Sequence, residues 1–145
     1  RITFRIPRPY RYFLFSVLST SWVSGIIFYY LNNWGEVEGS FGLEKHPAQF
    51  PVLMVHGAAA FLMILSYGAL LASHVPSGWK LNRSRYVGLI LVTLVVFQMI
   101  SAYLLYYVAW EEGRTILANL HAGVGFCLPF VLLTHLWIGR RNRRR

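Results

Sequence analysis

Charge is what this chain has least of. Asp, Glu, Lys and Arg make up 13% of its 145 residues while 56% are hydrophobic, against a charged share of about 25% in soluble domains. That deficit argues against an ordinary water-soluble fold. It is also uneven: windows 12–35, 46–79, 86–110 and 115–139, of 24, 34, 25 and 25 residues, contain no charged side chain. Each is longer than the roughly 20 apolar residues a helix needs to cross a bilayer. Together they take 108 residues, so residues 1–145 read as one transmembrane domain, and any catalytic head must come from another chain. Cysteine is nearly absent as well. Cys127 stands alone inside the fourth window, which excludes an internal disulfide and any Cys-x-x-Cys-His motif; a lone buried cysteine ordinarily packs.

Acids are the scarcer sign of charge, five against 14 Lys and Arg, for a net charge of +9. In a soluble protein that balance raises the question of nucleic acid; here its distribution answers differently. Twelve of the cations fall before the first window (Arg1, Arg5, Arg8, Arg11), between the second and third (Lys80, Arg83, Arg85) and after the fourth (Arg140, Arg141, Arg143, Arg144, Arg145). Lys45 and Arg114 fall on the other side with all five acids, Glu36, Glu38, Glu44, Glu111 and Glu112. The positive-inside rule then predicts both termini in the cytoplasm. The Arg-rich tail reads as a topology signal that touches anionic lipid, with no nucleic-acid partner.

The apolar start has no convincing small-residue cleavage site and is expected to be a retained span; the missing initiator Met suggests a longer precursor or an incomplete chain. The spans are expected at about 12–31, 50–74, 86–108 and 115–138. Asn32-Asn33-Trp34-Gly35 should end the first, and Val75-Pro76-Ser77-Gly78 the second. Gly39, Gly42 and Pro47 should keep the connection from Glu36 to Gln49 irregular. Pro129 should bend the fourth span near Gly125. Short connections favour antiparallel neighbours, so the expected fold is all-α: an integral-membrane up-down four-helix bundle. Tyr29, Tyr30, Trp34, Tyr103, Tyr106, Tyr107 and Trp110 fit outer aromatic belts.

Ionisable groups are costly at membrane depth and mark functional sites by default. Four of the five histidines lie in two spans: His56 and His74 in the second, His121 and His135 in the fourth. His56 and His74 are 18 residues apart, about five turns and about 27 Å of rise, which returns both to one face. His121 and His135 are 14 apart, about four turns and about 21 Å, again on nearly one face. The two spans run in the same direction. His56 therefore meets His121 near the outer surface, and His74 meets His135 near the inner, with an offset of about 6 Å for tilt and the Pro129 bend to absorb.

Two imidazoles without a nearby carboxylate or thiolate are too few for a zinc or di-iron site. A porphyrin brings four equatorial nitrogens of its own and needs only two axial ligands. The pattern thus predicts haem b held by His56, His74, His121 and His135, with one haem on the outer pair alone, or none, as alternatives. Small residues could let the macrocycle approach: Ala60 and Gly125 one turn beyond the outer histidines, Gly57-Ala58-Ala59 after His56, and Gly123.

In these paired histidines, in Leu120-His121-Ala122-Gly123-Val124-Gly125 and in Thr134-His135-Leu136-Trp137, the sequence resembles the four-helix di-haem b-type cytochromes, the membrane subunits of respiratory oxidoreductases and their stand-alone relatives. The likeness covers about residues 12 to 139. It implies transmembrane electron transfer by two haems, outer and inner, and often a quinone site. Members that take a ligand from the first helix differ from this chain, whose first span has no histidine.

Among the other polar residues, His46 reads as a solvated loop residue, or as a contact for quinone or a partner, or as a replacement for His56 if the second span starts earlier. Lys45, Arg114, Lys80, Arg83 and Arg85 are placed for haem propionates or lipid headgroups, and Met54, Met63 and Met99 for packing. The expected partners are lipid, a quinone or quinol, and a peripheral redox subunit or cytochrome, in a complex in the bacterial plasma membrane. Two rivals differ in class. A histidine-lined proton or metal pathway would place the same residues around water, and a cofactor-free anchor would leave them without a role.

Overall fold

The computed structural model of the chain describes residues 6–80 and 85–144. Arg1, Arg5, Arg83 and Arg145 lie outside the described residues, as do the side chains of Lys80, Arg143 and Arg144. Four helices follow in order: α1 Arg8–Trp34, α2 Gln49–Lys80, α3 Arg85–Tyr107 and α4 Glu111–Arg144. Each is long and apolar enough to cross a membrane. Even the shortest, α3 at 23 residues, rises about 34 Å, more than the hydrocarbon core.

The pattern of burial suits helices long and apolar enough to cross a membrane. Among the described residues the buried side chains are small or hydroxylic: Ser24, Ser66 and Ser101, with Val17, Ala59 and Tyr67. Large apolar side chains such as Phe61, Leu65, Ile100, Phe130 and Leu133 face outward. Hydrocarbon gives Leu and Phe no reason to turn inward, and small residues let helices approach one another.

Three sequence expectations about the elements need correction. The 36–49 connection is not irregular: β1 (Glu36–Gly39) and β2 (Gly42–Lys45) form an antiparallel hairpin with Glu36 opposite Lys45 and Gly39 opposite Gly42. The glycines permit it. Gly42 has φ +123°, and a Cβ on Gly39 would collide with the Glu44 side chain. Second, α2 does not stop at Val75-Pro76-Ser77-Gly78 but continues through Pro76 to Lys80. Proline removes one backbone donor, while abandoning the helix in an apolar medium exposes many. The hydroxyls of Ser73 and Ser77, donating to the carbonyls of Ala69 and Ser73, support the same stretch. Third, α4 begins at Glu111, before Thr115, and puts Glu111 and Glu112 in its first turn, where negative charge meets the positive end of the helix dipole. Pro129 lies inside this helix.

The chain divides into two compact units, Ile6–Ser66 and Tyr67 onward. In the first, Tyr10 Oη donates to the carbonyl of Ser66 at 2.5 Å, His56 reaches the carbonyl of Ser21, and Gln49 Nε2 donates to Asn32 Oδ1 at 2.9 Å. These contacts run in opposite directions along α1 and the first part of α2, which therefore lie antiparallel. In the second unit α3 and α4 pack closely. Their contacts, Ser101 with His121, Gln98 against Gly125 and Gly88 against His135, are again in antiparallel order. Tyr67 Oη in the second part of α2 donates to the carbonyl of Val92 in α3 at 3.2 Å.

Candidate functional site: four histidines on two helices

α2 carries His56 and His74, and α4 carries His121 and His135, each pair within one unbroken helix. Spacing along each helix is therefore fixed by helical geometry. The chemistry around each ring is fixed by the neighbouring helix.

His56 lies against α1. Its Nδ1 is 2.9 Å from the carbonyl oxygen of Ser21 and 3.3 Å from Ser24 Oγ. Ser24 Oγ also donates to the carbonyl of Thr20 at 2.6 Å, which leaves its lone pairs toward the ring. A carbonyl can only accept, so Nδ1 of His56 must be the donor. In the neutral ring Nε2 then carries no proton. Gly25 makes the approach possible: a Cβ there would sit 3.0 Å from Cε1 and 3.2 Å from Nδ1, with Nε2 farther at 3.9 Å. The ring turns its Nδ1–Cε1 edge to α1 and Nε2 away from Gly25.

His121 repeats the arrangement against α3. Its Nδ1 is 2.8 Å from Oγ of Ser101, whose hydroxyl lies 3.2 Å from the carbonyl of Gln98 as a donor. With that hydrogen directed at Gln98, the serine oxygen accepts from Nδ1–H. Gly125, expected to admit a ring, instead faces the Gln98 amide, whose Nε2 would be 2.9 Å from a Cβ at that position.

His135 and His74 face each other within the second unit. Their ring centroids are 6.3 Å apart and the planes cross at 83°. The Nδ1–Cε1 edge of His135 is turned to Gly88 of α3, where a Cβ would meet Cε1 at 3.5 Å and Nδ1 at 3.8 Å. Its Nδ1 is buried and has no hydrogen-bond partner among the described residues. The contact is edge-on, and it brings one ring of α2 and one of α4 together. Among the described residues no three His, Cys, Asp or Glu side chains form a group able to hold a metal ion.

His46 precedes α2 and serves as a cap. Its Nδ1 accepts from the backbone N–H of Ala48 at 3.1 Å and its carbonyl from that of Gln49 at 2.9 Å. α2 starts after it, so it does not take the place of His56 on that helix. Three cations expected near propionates are engaged with backbone at helix ends. Arg114 Nη1 donates to the carbonyl of Leu105 at 2.6 Å, Arg85 Nη2 to that of Trp79 at 2.5 Å, and Lys45 Nζ to that of Asn32 at 2.9 Å. Each sits where the helix dipole favours positive charge. Arg85 also lies over the Trp79 ring, 5.2 Å from its centroid.

Sequence reasoning missed Ser21, Ser24, Gly25, Gly88 and Ser101, the residues that receive the histidine edges. The available signal was a serine or glycine in a histidine-free span at the depth of a histidine in its neighbour. Comparison with protein-family models, characterised proteins and solved structures finds no match to this chain.

Proposed function

We propose that this chain is a membrane electron-transfer subunit whose four intramembrane histidines hold two b-type haems, as its resemblance to the di-haem b-type cytochromes implies. The observation that carries the reading is the His74–His135 couple, two imidazoles confronting one another at 6.3 Å between apolar helices. In this reading His74 and His135 would hold the inner haem, and His56 and His121 the outer one, an assignment that rests on the depth of the latter two in the sequence. Bound haem would supply a one-electron couple.

The remaining work falls to the chain. The Ser21 carbonyl holds the Nδ1 proton of His56, and Ser101 that of His121, which fixes the tautomer in both. The apolar helices that carry the histidines keep the dielectric low, which tunes a redox potential. The proposed setting is an up-down bundle with both termini in the cytoplasm of a bacterium. A quinone or quinol exchanges electrons at one face, and a peripheral redox subunit or soluble cytochrome at the other.

The test is a reduced-minus-oxidised visible spectrum of the purified chain together with its haem-to-protein ratio. Two haems per chain with b-type bands are expected. A colourless protein overturns the reading and leaves a proton or metal pathway, or an anchor, to explain the histidines.

A further inference from the structure

Serine hydroxyls in apolar helices commonly return their hydrogen to a carbonyl one turn back. Ser24, Ser66 and Ser73 do this toward Thr20, Leu62 and Ala69. Ser101 does so toward Gln98 at 3.2 Å, yet two features set it apart. It is 1% exposed, the most enclosed side chain among the described residues, and its oxygen lies 2.8 Å from Nδ1 of His121 on another helix. That contact is shorter than the 3.3 Å between Ser24 Oγ and Nδ1 of His56.

We propose that Ser101 is a positioning residue for His121, accepting its Nδ1–H so that the ring keeps one tautomer and one rotation. The inference rests on the haem reading above and deepens it. A metal-ligating histidine is oriented, and its basicity raised, by the partner of its second nitrogen. A more basic imidazole donates more strongly to iron and favours the oxidised state. Ser101 thus lowers the potential of the haem that His121 holds and leaves the other haem unaffected.

The experiment compares the parental chain with Ser101→Ala, Ser101→Thr and Ser101→Cys, by redox titration of the visible bands and by the low-spin ferric EPR signal. In Ser101→Ala one of two titrating components should become easier to reduce. Its oxidised-to-reduced ratio at fixed ambient potential should fall about threefold to tenfold, a modest change for the loss of an outer-shell partner. Its EPR signal should broaden as the ring loses its fixed rotation, while Ser101→Thr, which keeps the acceptor, stays near the parent. If Ser101→Ala does not accumulate, Ser101→Cys, similar in shape but a weak acceptor, is expected to show the same shift. Loss of one haem from Ser101→Ala with retention in Ser101→Thr supports the proposal equally, because retention and orientation draw on the same bond. A pigmented parent whose Ser101→Ala variant is unchanged in both readouts overturns it, as does equal haem loss from the Ala and Thr variants, which would mark a packing residue. A colourless parent overturns it together with the haem reading.

Discussion

His56 and His135 sit on different helices and in different compact units, and both turn a Nδ1–Cε1 edge toward a glycine of a helix that has no histidine. The two niches nevertheless differ in tightness and in polarity. At Gly25 the imagined Cβ is 3.0 Å from the ring and a carbonyl stands 2.9 Å from Nδ1. At Gly88 the clearance is 3.5 Å, and Nδ1 of His135 has no hydrogen-bond partner among the described residues. One ring is held by its neighbouring helix. The other faces a second imidazole across a gap. Equal residue types at helical spacing therefore do not make equal sites, because the helix that carries a histidine sets only its depth and direction. The helix beside it sets tautomer, rotation and room.

The widest test of the contrast removes the rings themselves. His74→Ala and His135→Ala should each abolish the same spectroscopic component and halve the haem-to-protein ratio, and His56→Ala and His121→Ala should abolish the other. Four variants that keep the parental spectrum would end the ligand assignment. A mixed result, with His74 and His135 affecting different components, would end the inner pairing alone.

Glycine substitution sharpens the contrast with smaller expected effects. Replacing a helical glycine by alanine gains about 1 kcal/mol of helix propensity. At Gly88 the new methyl makes an ordinary contact, so Gly88→Ala should raise the midpoint of thermal unfolding and leave the visible spectrum unchanged. At Gly25 it presses on the His56 ring at 3.0 Å, and overpacking of this kind costs about 1–3 kcal/mol. Gly25→Ala should therefore be no more stable than the parent and should shift the potential of one haem. Identical behaviour of the two variants would show that the clearances do not govern the sites.

The helices were legible in the sequence, and the site only in part. Charge-free windows gave the four spans, because lipid admits few exceptions to an apolar surface. Their ends were harder. Pro76 reads as a terminator by rules drawn from water, where an interrupted helix can solvate its backbone; within a membrane the helix is the cheaper state, and α2 continues to Lys80. The hairpin was missed because its pairing is held by backbone bonds and two glycines, with Phe41 wholly exposed at its turn and no alternation of apolar residues to announce it. The pairing of His74 with His135 follows in the sequence from their depth in two spans of like direction, and the two rings lie 6.3 Å apart. Ser101 could not be found in this way, since nothing in its own span distinguishes it from any other small residue that lets helices approach.

The smallest expected effect contrasts the two anchored rings with each other. His56 is held chiefly by the Ser21 carbonyl at 2.9 Å, with Ser24 Oγ at 3.3 Å and its hydrogen directed to Thr20. His121 depends on a side chain, Ser101 Oγ at 2.8 Å. Truncating Ser24 removes the weaker of two acceptors, and the carbonyl still holds the Nδ1 proton. Ser24→Ala should then leave both haem potentials within the error of a redox titration and cost at most about 1 kcal/mol in stability, whereas Ser101→Ala moves one component. A shift in Ser24→Ala as large as that in Ser101→Ala would mean that the hydroxyl, not the backbone, orients His56. It would make α1 and α3 equivalent in how they serve the ligand helices.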